Sequence, residues 1–171
     1  LLAGGVAVWI HTRTQDFAFE STGERFEPYY SMYQAPDGAD AEFRLFRPFS
    51  PFSANNARRE LQAYMTASSD PDSYGQLTVY RVLGDPASGD LPPGPITVYN
   101  QIQSEPSVSN LITPLAQRGS IVTFGTLQLL PVADGGVWLM PMYVSSNEVP
   151  QPTFRYALVF YNGRAAYGET I

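Results

Sequence analysis

The chain has 171 residues, a formal net charge of −6 at pH 7, no cysteine and one histidine. This composition excludes disulfides, zinc–thiolate sites, thiol nucleophiles and multi-histidine metal centres, and the negative charge argues against nucleic acid as a partner. The length suits one domain, and 11 Tyr with 10 Phe are too many aromatic residues for a disordered chain.

The chain opens with an apolar run, residues 1–10, which is too short to span a bilayer and lacks the basic start of a signal peptide. Within it, residues 6–10 predict a buried strand, with the end of a membrane helix as the alternative. Because the first residue is Leu rather than Met, we expect the chain to be a fragment or a processed product.

Turn-forming residues divide the chain into paired apolar segments. Asn162-Gly163 supplies two residues that tolerate positive φ, as a two-residue type I′ hairpin requires. Asp134-Gly135-Gly136 and Pro36-Asp37-Gly38 are similar turn signals. These turns predict antiparallel pairing of residues 29–34 with 42–47, 126–132 with 137–144, and 156–161 with 164–167. Two further strands are predicted at 76–83 and 120–124.

Helical signals occur in two regions. Ser53 can cap a helix that runs from Ala54 to about Ala67. Its apolar stripe recurs with helical spacing at Ala57, Leu61, Tyr64 and Met65.

The second helical region begins near Pro95 and restarts at Pro106. Proline is favoured in the first turn of a helix and disfavoured inside one. We therefore predict two short helices with a break near Ser104-Glu105, the second ending before Gly119. The predicted fold is α+β, a mainly antiparallel sheet built from hairpins with two or three short helices packed on it. We predict one domain over residues 1–171.

Asp70 and Asp72 are the candidate metal ligands, since Ca²⁺ binds carboxylate oxygens in loops of this kind. The further ligands of an EF-hand loop are missing, so capping of the loop by Asx turns is the simpler interpretation. The same pair carries an alternative hypothesis, in which the chain is an enzyme that acts on envelope glycan or peptide through carboxylates.

Arg58 and Arg59 are candidate binding residues for an anionic lipid head or cell-wall polymer. Adjacent residues on a helix point about 100° apart, so an ordinary solvated face is the alternative interpretation.

An aromatic-rich stretch supplies the remaining candidate binding residues, Tyr29, Tyr30 and Tyr33. Exposed tyrosine rings can stack on a sugar or on a partner's surface, whereas a core with scattered surface tyrosines is the alternative. We place Phe43, Phe49 and Phe52 in the core.

His11 follows the first apolar run, but a general base needs a nucleophile and an orienting carboxylate beside it. The sequence has no Gly-x-Ser-x-Gly motif. We therefore predict no catalytic residue and no cofactor, and we favour a binding module over an enzyme.

A series of short segments from residue 28 onward carries a family resemblance. They are Pro28-Tyr29-Tyr30, Ala63-Tyr64-Met65, Ser69-Asp70, Tyr74-Gly75-Gln76-Leu77, Gly94-Pro95, Pro106-Ser107-Val108-Ser109, Phe124-Gly125-Thr126-Leu127, Leu130-Pro131-Val132 and Met140-Pro141-Met142-Tyr143-Val144. In this order they resemble uncharacterised protein family 0182, which comprises large multi-pass membrane proteins common in actinobacteria and found in other bacteria, whereas residues 1–27 match it loosely.

The resemblance implies several N-terminal membrane helices followed by a large soluble region outside the cytoplasm, of which this chain would be a piece. It supplies no catalytic residue, because no activity is established for the family. We therefore expect an extracytoplasmic binding or assembly module. Its partners would be the rest of its own membrane-embedded chain, or envelope proteins, glycan or lipid.

Overall fold

The computed structural model describes residues 12–13, 16–17, 24–34, 40–51, 60–84, 88, 90–117, 119–132, 135–148 and 151–169. By the density of its contacts the chain divides into two compact units, Leu1–Thr97 and Val98–Ile171. Such a division fits one domain as well as two, so the single-domain prediction stays a prediction. The predicted strand at residues 6–10 lies outside the described residues.

The first unit is built on a five-stranded antiparallel sheet. Its strands are β1 (Thr12–Arg13), β4 (Tyr29–Tyr33), β5 (Glu42–Pro51), β6 (Ala63–Ser68) and β7 (Leu77–Arg81). The long strand β5 pairs with β1 and β4 along one edge and with β6 along the other, and β7 pairs with β6. Two short strands, β2 (Asp16–Phe17) and β3 (Glu24–Arg25), pair with each other.

The core of the first unit is aromatic. The ring of Phe46 stacks on Tyr29 at a centroid distance of 5.8 Å and meets Tyr33 edge-on at 5.3 Å. Phe26 adds an edge contact to Tyr29 at 6.0 Å. All of these residues are buried, as is Phe49, so the prediction that Phe49 belongs to the core is confirmed.

The predicted helix over residues 54–67 is wrong in the part that the structure describes. Residues Ala63–Ser68 form β6, which pairs along one edge with β5 and along the other with β7. The helical spacing of Leu61, Tyr64 and Met65 is fortuitous, since adjacent residues of a strand point to opposite faces. Pairing on both edges outweighs a modest helix propensity.

The second unit is built on another antiparallel sheet, with strand order β12-β11-β10-β8 and with β9 also paired to β10. Its strands are β8 (Ser120–Phe124), β9 (Gln128–Val132), β10 (Gly135–Ser146), β11 (Thr153–Tyr161) and β12 (Arg164–Gly168). The strand predicted at 120–124 is confirmed. Strand β10 is long enough to pair with β9 through its first half and with β8 through its second half.

Two helices begin at the prolines that predicted them. Helix α1 spans Pro95–Ser104 and helix α2 spans Pro106–Leu115, with Glu105 in an extended conformation between them. The predicted break and the predicted end before Gly119 are therefore confirmed. In the second unit, Val98, Ile102 and Val108 are fully buried, as are Met140 and Leu158 of the sheet. Helix α2 contacts β8 and β12, so it lies across one face of this sheet.

The last hairpin has the predicted turn. Tyr161 pairs directly with Arg164, and the two residues between them have positive φ, 46° at Asn162 and 74° at Gly163. The other two predicted strand pairs also form. Gly135 and Gly136, predicted as turn, belong to β10, and residues 35–39 and 133–134 lie outside the described residues.

The α+β class with mainly antiparallel sheet is confirmed. The described residues contain two α-helices and one 3₁₀ turn, Pro71–Ser73, rather than a third short α-helix. Among the described residues, none of the helices has both the length and the hydropathy of a transmembrane span.

Candidate functional site

Part of one face of the first sheet is apolar and accessible, whereas Phe49 and Ala63, further along the same side, are buried. Strand register places four residues in a continuous row across it, because Tyr30 pairs with Leu45, Leu45 with Ala67, and Ala67 with Leu77. Directly paired residues of antiparallel strands point to the same side. A second row holds Met32 opposite Phe43, and a third holds Met65 between Arg47 and Val79.

We call these residues the apolar face: Tyr30, Met32, Phe43, Leu45, Met65, Ala67, Leu77 and Val79. Four of them are strongly exposed, Tyr30 at 57%, Met32 at 60%, Phe43 at 50% and Leu77 at 60%. The other four are half-buried. Phe43 is therefore not a core residue, and that prediction is wrong. Its ring stacks on Tyr30 at 5.1 Å with an interplanar angle of 7°, which holds two flat aromatic surfaces in place.

The opposite face of the same sheet holds the other two predicted binding tyrosines. Tyr29 and Tyr33 are each only 5% exposed and pack on Phe46. Their rings are thus occupied by the core, and of the three tyrosines only Tyr30 presents a large surface. The period-2 rule explains the split, since Tyr30 lies one residue from Tyr29.

The Tyr33 hydroxyl lies 3.5 Å from that of Tyr64, whose ring stacks on Tyr80 at 4.8 Å. Burial raises the pKa of Tyr33, and the hydrogen bond with Tyr64 raises it further. Burial also raises the pKa of Tyr64. These phenols stay protonated at neutral pH and serve as hydrogen-bonding parts of the core.

The guanidinium of Arg44 is also engaged on this inner face. Its Nη2 lies 2.6 Å from Oε2 of Glu42, and its Nη1 donates to the Thr66 hydroxyl at 3.2 Å. Thr66 is fully buried, so the ion pair and this hydroxyl form a small polar cluster beside the aromatic core. This arrangement satisfies the buried polar atoms locally rather than presenting a cation to a ligand.

The loop that carries Asp70 and Asp72 is stabilised by serines. Ser68 and Ser73 share a hydroxyl hydrogen bond of 2.7 Å, and the Ser68 hydroxyl accepts from the Asp70 backbone N–H at 3.2 Å. Both aspartates are exposed, and the Asp70 side chain makes no capping bond to the following turn. Among the described residues, no three His, Cys, Asp or Glu side chains are grouped as metal ligands. Metal binding by this pair stays a prediction.

Comparison with known proteins gives the chain its family. A model of the Uncharacterised protein family (UPF0182) matches residues 7–115. The chain belongs to this family. A UPF0182 protein of Saccharopolyspora erythraea is 35% identical over 152 residues, which cover 87% of this chain and 15% of that relative. One from Desulfitobacterium hafniense is 32% identical over 154 residues, 89% of this chain and 16% of that relative.

The expected bacterial range of the family is too narrow, because a relative also occurs in an archaeon. A UPF0182 protein of Methanospirillum hungatei is 29% identical over 157 residues, 91% of this chain and 17% of that relative. The match begins near residue 7, so it includes the early residues that the sequence pattern related only loosely to the family. The chain thus spans about 15% of the length of the relatives it matches. No solved structure matches it.

Several predicted residues of this UPF0182 chain lie outside the part that the structure describes. They are His11, Phe52, Arg58 and Arg59. Binding of an anionic group by the two arginines therefore stays a prediction.

Sequence reasoning missed most of the apolar face. Leu45, Met65, Leu77 and Val79 each fall within a predicted element, but the sequence pattern does not relate them to a common surface. A signal was present in the alternation of Phe43 and Leu45 with Arg44, which predicts a strand with two unlike faces. This alternation does not extend to the neighbouring strand, because the spacing within residues 54–67 predicts a helix there.

Proposed function

We propose that this chain is an assembly module without catalysis of its own, in the region of a UPF0182 protein that lies outside the cytoplasm. In this role it packs against the rest of its own polypeptide. The observation that carries the proposal is the apolar face. Soluble proteins rarely expose contiguous apolar patches beyond a few hundred Å², and those that they do expose are commonly interaction sites.

The energetics support contact rather than exposure. Burial of a large apolar side chain contributes about 1.5–3 kcal/mol, so covering Tyr30, Met32, Phe43 and Leu77 adds several kcal/mol. Those side chains are already held in a paired sheet, and Tyr30 is stacked on Phe43. The two stacked rings therefore lose little side-chain freedom when a partner binds.

The length of the relatives supports an internal partner. A chain that matches about 15% of their length leaves most of such a protein available to contact this face. The extracytoplasmic position rests on the resemblance to multi-pass membrane proteins described above.

Cysteine labelling in the complete UPF0182 protein tests the assembly role. The chain has no cysteine, so a single Phe43→Cys substitution places a unique thiol on the apolar face once cysteines elsewhere in the protein are replaced by Ser. Tyr74→Cys is the matched control, because Tyr74 is 81% exposed in the nearby loop. We expect a maleimide to label the Tyr74→Cys variant at once and the Phe43→Cys variant only after denaturation. Equal labelling of the two variants in the native state would refute the proposal.

The same control variant tests the location. A membrane-impermeant maleimide applied to intact cells should label the thiol of Tyr74→Cys. Labelling only after the cells are lysed would place the chain inside, and the extracytoplasmic part of the proposal would then be wrong.

A further inference from the structure

We infer that an amphipathic helix packs on the apolar face, and that this helix belongs to the same polypeptide outside residues 1–171. The inference rests on the proposed function and names the segment that performs the contact. It depends on three properties of the face: its area, its dimensions and the chemistry of its residues.

The area of the apolar face favours contact with a segment of the same polypeptide over contact with a separate protein. The exposed parts of Tyr30, Met32, Phe43 and Leu77 together offer on the order of 400 Å². A stable interface between separate proteins buries about 800 Å² on each partner, roughly twice as much. A second copy of the chain is therefore poorly matched to this face alone.

A covalently connected segment needs less area. Tethering gives it an effective concentration of about 1 mM or more, so a contact too weak to hold separate molecules is still occupied. With about 85% of the relatives' length outside the matched part, the family has ample chain to supply such a segment.

The dimensions suit a short helix. The row from Tyr30 to Leu77 crosses four strands, which at about 4.8 Å between neighbours is about 14 Å. The three rows of the apolar face lie two residues, or about 7 Å, apart along the strands, so together they extend about 14 Å in that direction. A helix about 10 Å in diameter and three turns long covers this surface.

The chemistry of the face also suits a helix. Its eight residues are aliphatic, aromatic and methionine side chains, and the one charged residue in its rows is the half-buried Arg47, which pairs with Met65 at the end of the third row. The occupant must therefore present an apolar stripe. Antiparallel sheets of α+β proteins are commonly covered by helices, and the second unit does this with α2 across β8 and β12. Methionines such as Met32 and Met65 adapt to the ridges of a helix.

Photocrosslinking in the complete protein tests the inference. We would replace Phe43 by p-benzoylphenylalanine (Phe43→p-benzoylphenylalanine) and make the same replacement at Tyr74 as the control. We expect irradiation to crosslink the Phe43 variant within one polypeptide, so that its mass on a denaturing gel stays that of a monomer. Mass spectrometry should then locate the partner residue beyond residues 1–171, in a segment whose apolar residues recur every three or four positions. The Tyr74 variant should give no such crosslink.

The other outcomes separate this inference from the proposed function. A crosslinked product of twice the mass, or one that contains another protein, overturns the internal helix and leaves an assembly module. A crosslink to a strand-like segment, or to residues within 1–171, also overturns it. No crosslink together with rapid native labelling of Phe43→Cys overturns both proposals.

Discussion

The sharpest prediction compares two phenylalanines on the same strand. Phe46 and Phe43 lie three residues apart on β5 and therefore on opposite faces of the sheet. Phe46 is 1% exposed and touches the rings of Tyr29, Tyr33 and Tyr64. Phe46→Ala removes a fully buried ring and leaves a cavity, so the free energy of unfolding should fall by about 3–5 kcal/mol.

Phe43→Ala should lower the free energy of unfolding of the 171-residue chain much less than Phe46→Ala does. Half of the Phe43 side chain is already in water, so its removal forfeits about half of a normal burial contribution, about 1 kcal/mol. In the complete protein the cost should rise toward that of a buried phenylalanine, because the proposed helix covers the ring. Urea unfolding followed by circular dichroism measures both costs. Equal losses for the two variants in the chain alone would refute the assignment of the two faces.

Two further predictions concern the turn and the buried phenols. Asn162→Gly should leave stability nearly unchanged, whereas Asn162→Val should lower the free energy of unfolding by about 1–2 kcal/mol, because a β-branched residue is strained at the φ of 46° found there. Thermal unfolding of the two variants measures the difference, and equal midpoints would contradict a left-handed residue at this position. The raised pKa of Tyr33 and Tyr64 predicts that stability is retained below pH 10, the ordinary tyrosine value, and falls above it. The unfolded chain loses these protons first, so rising pH favours unfolding. Tyr33→Phe together with Tyr64→Phe should flatten that alkaline decline in urea titrations, while the exposed Tyr74→Phe should not, and an unchanged slope in the double variant would count against buried phenols.

Local chemistry predicted much of the fold. Asn162-Gly163 tolerates positive φ, and the structure closes a two-residue hairpin there. Pro106 starts a helix because proline suits a first turn, and Glu105 before it is extended because proline disfavours helical geometry in the preceding residue. These features depend on residues adjacent in the chain, so they could be predicted without knowledge of tertiary contacts.

Residues 63–68 show where local reasoning failed. Ala63, Tyr64, Met65 and Ala67 are compatible with a helix or with a strand, and the spacing of Leu61, Tyr64 and Met65 favours a helical stripe. The outcome depended on β5 and β7, which provide hydrogen-bonding partners on both edges. Pairing between distant segments cannot be read from one segment alone.

The sequence by itself determined the antiparallel α+β class, the hairpin and proline boundaries, and membership of a family with which it shares a series of short segments. Only the tertiary structure decided which tyrosines are available for contact. Alternation along β4 shows that Tyr29 and Tyr30 point to opposite sides, but both are aromatic, so the pattern does not say which side faces inward. In the structure Tyr29 is buried against Phe46 on one side of the sheet, whereas Tyr30 and Phe43 are exposed on the other.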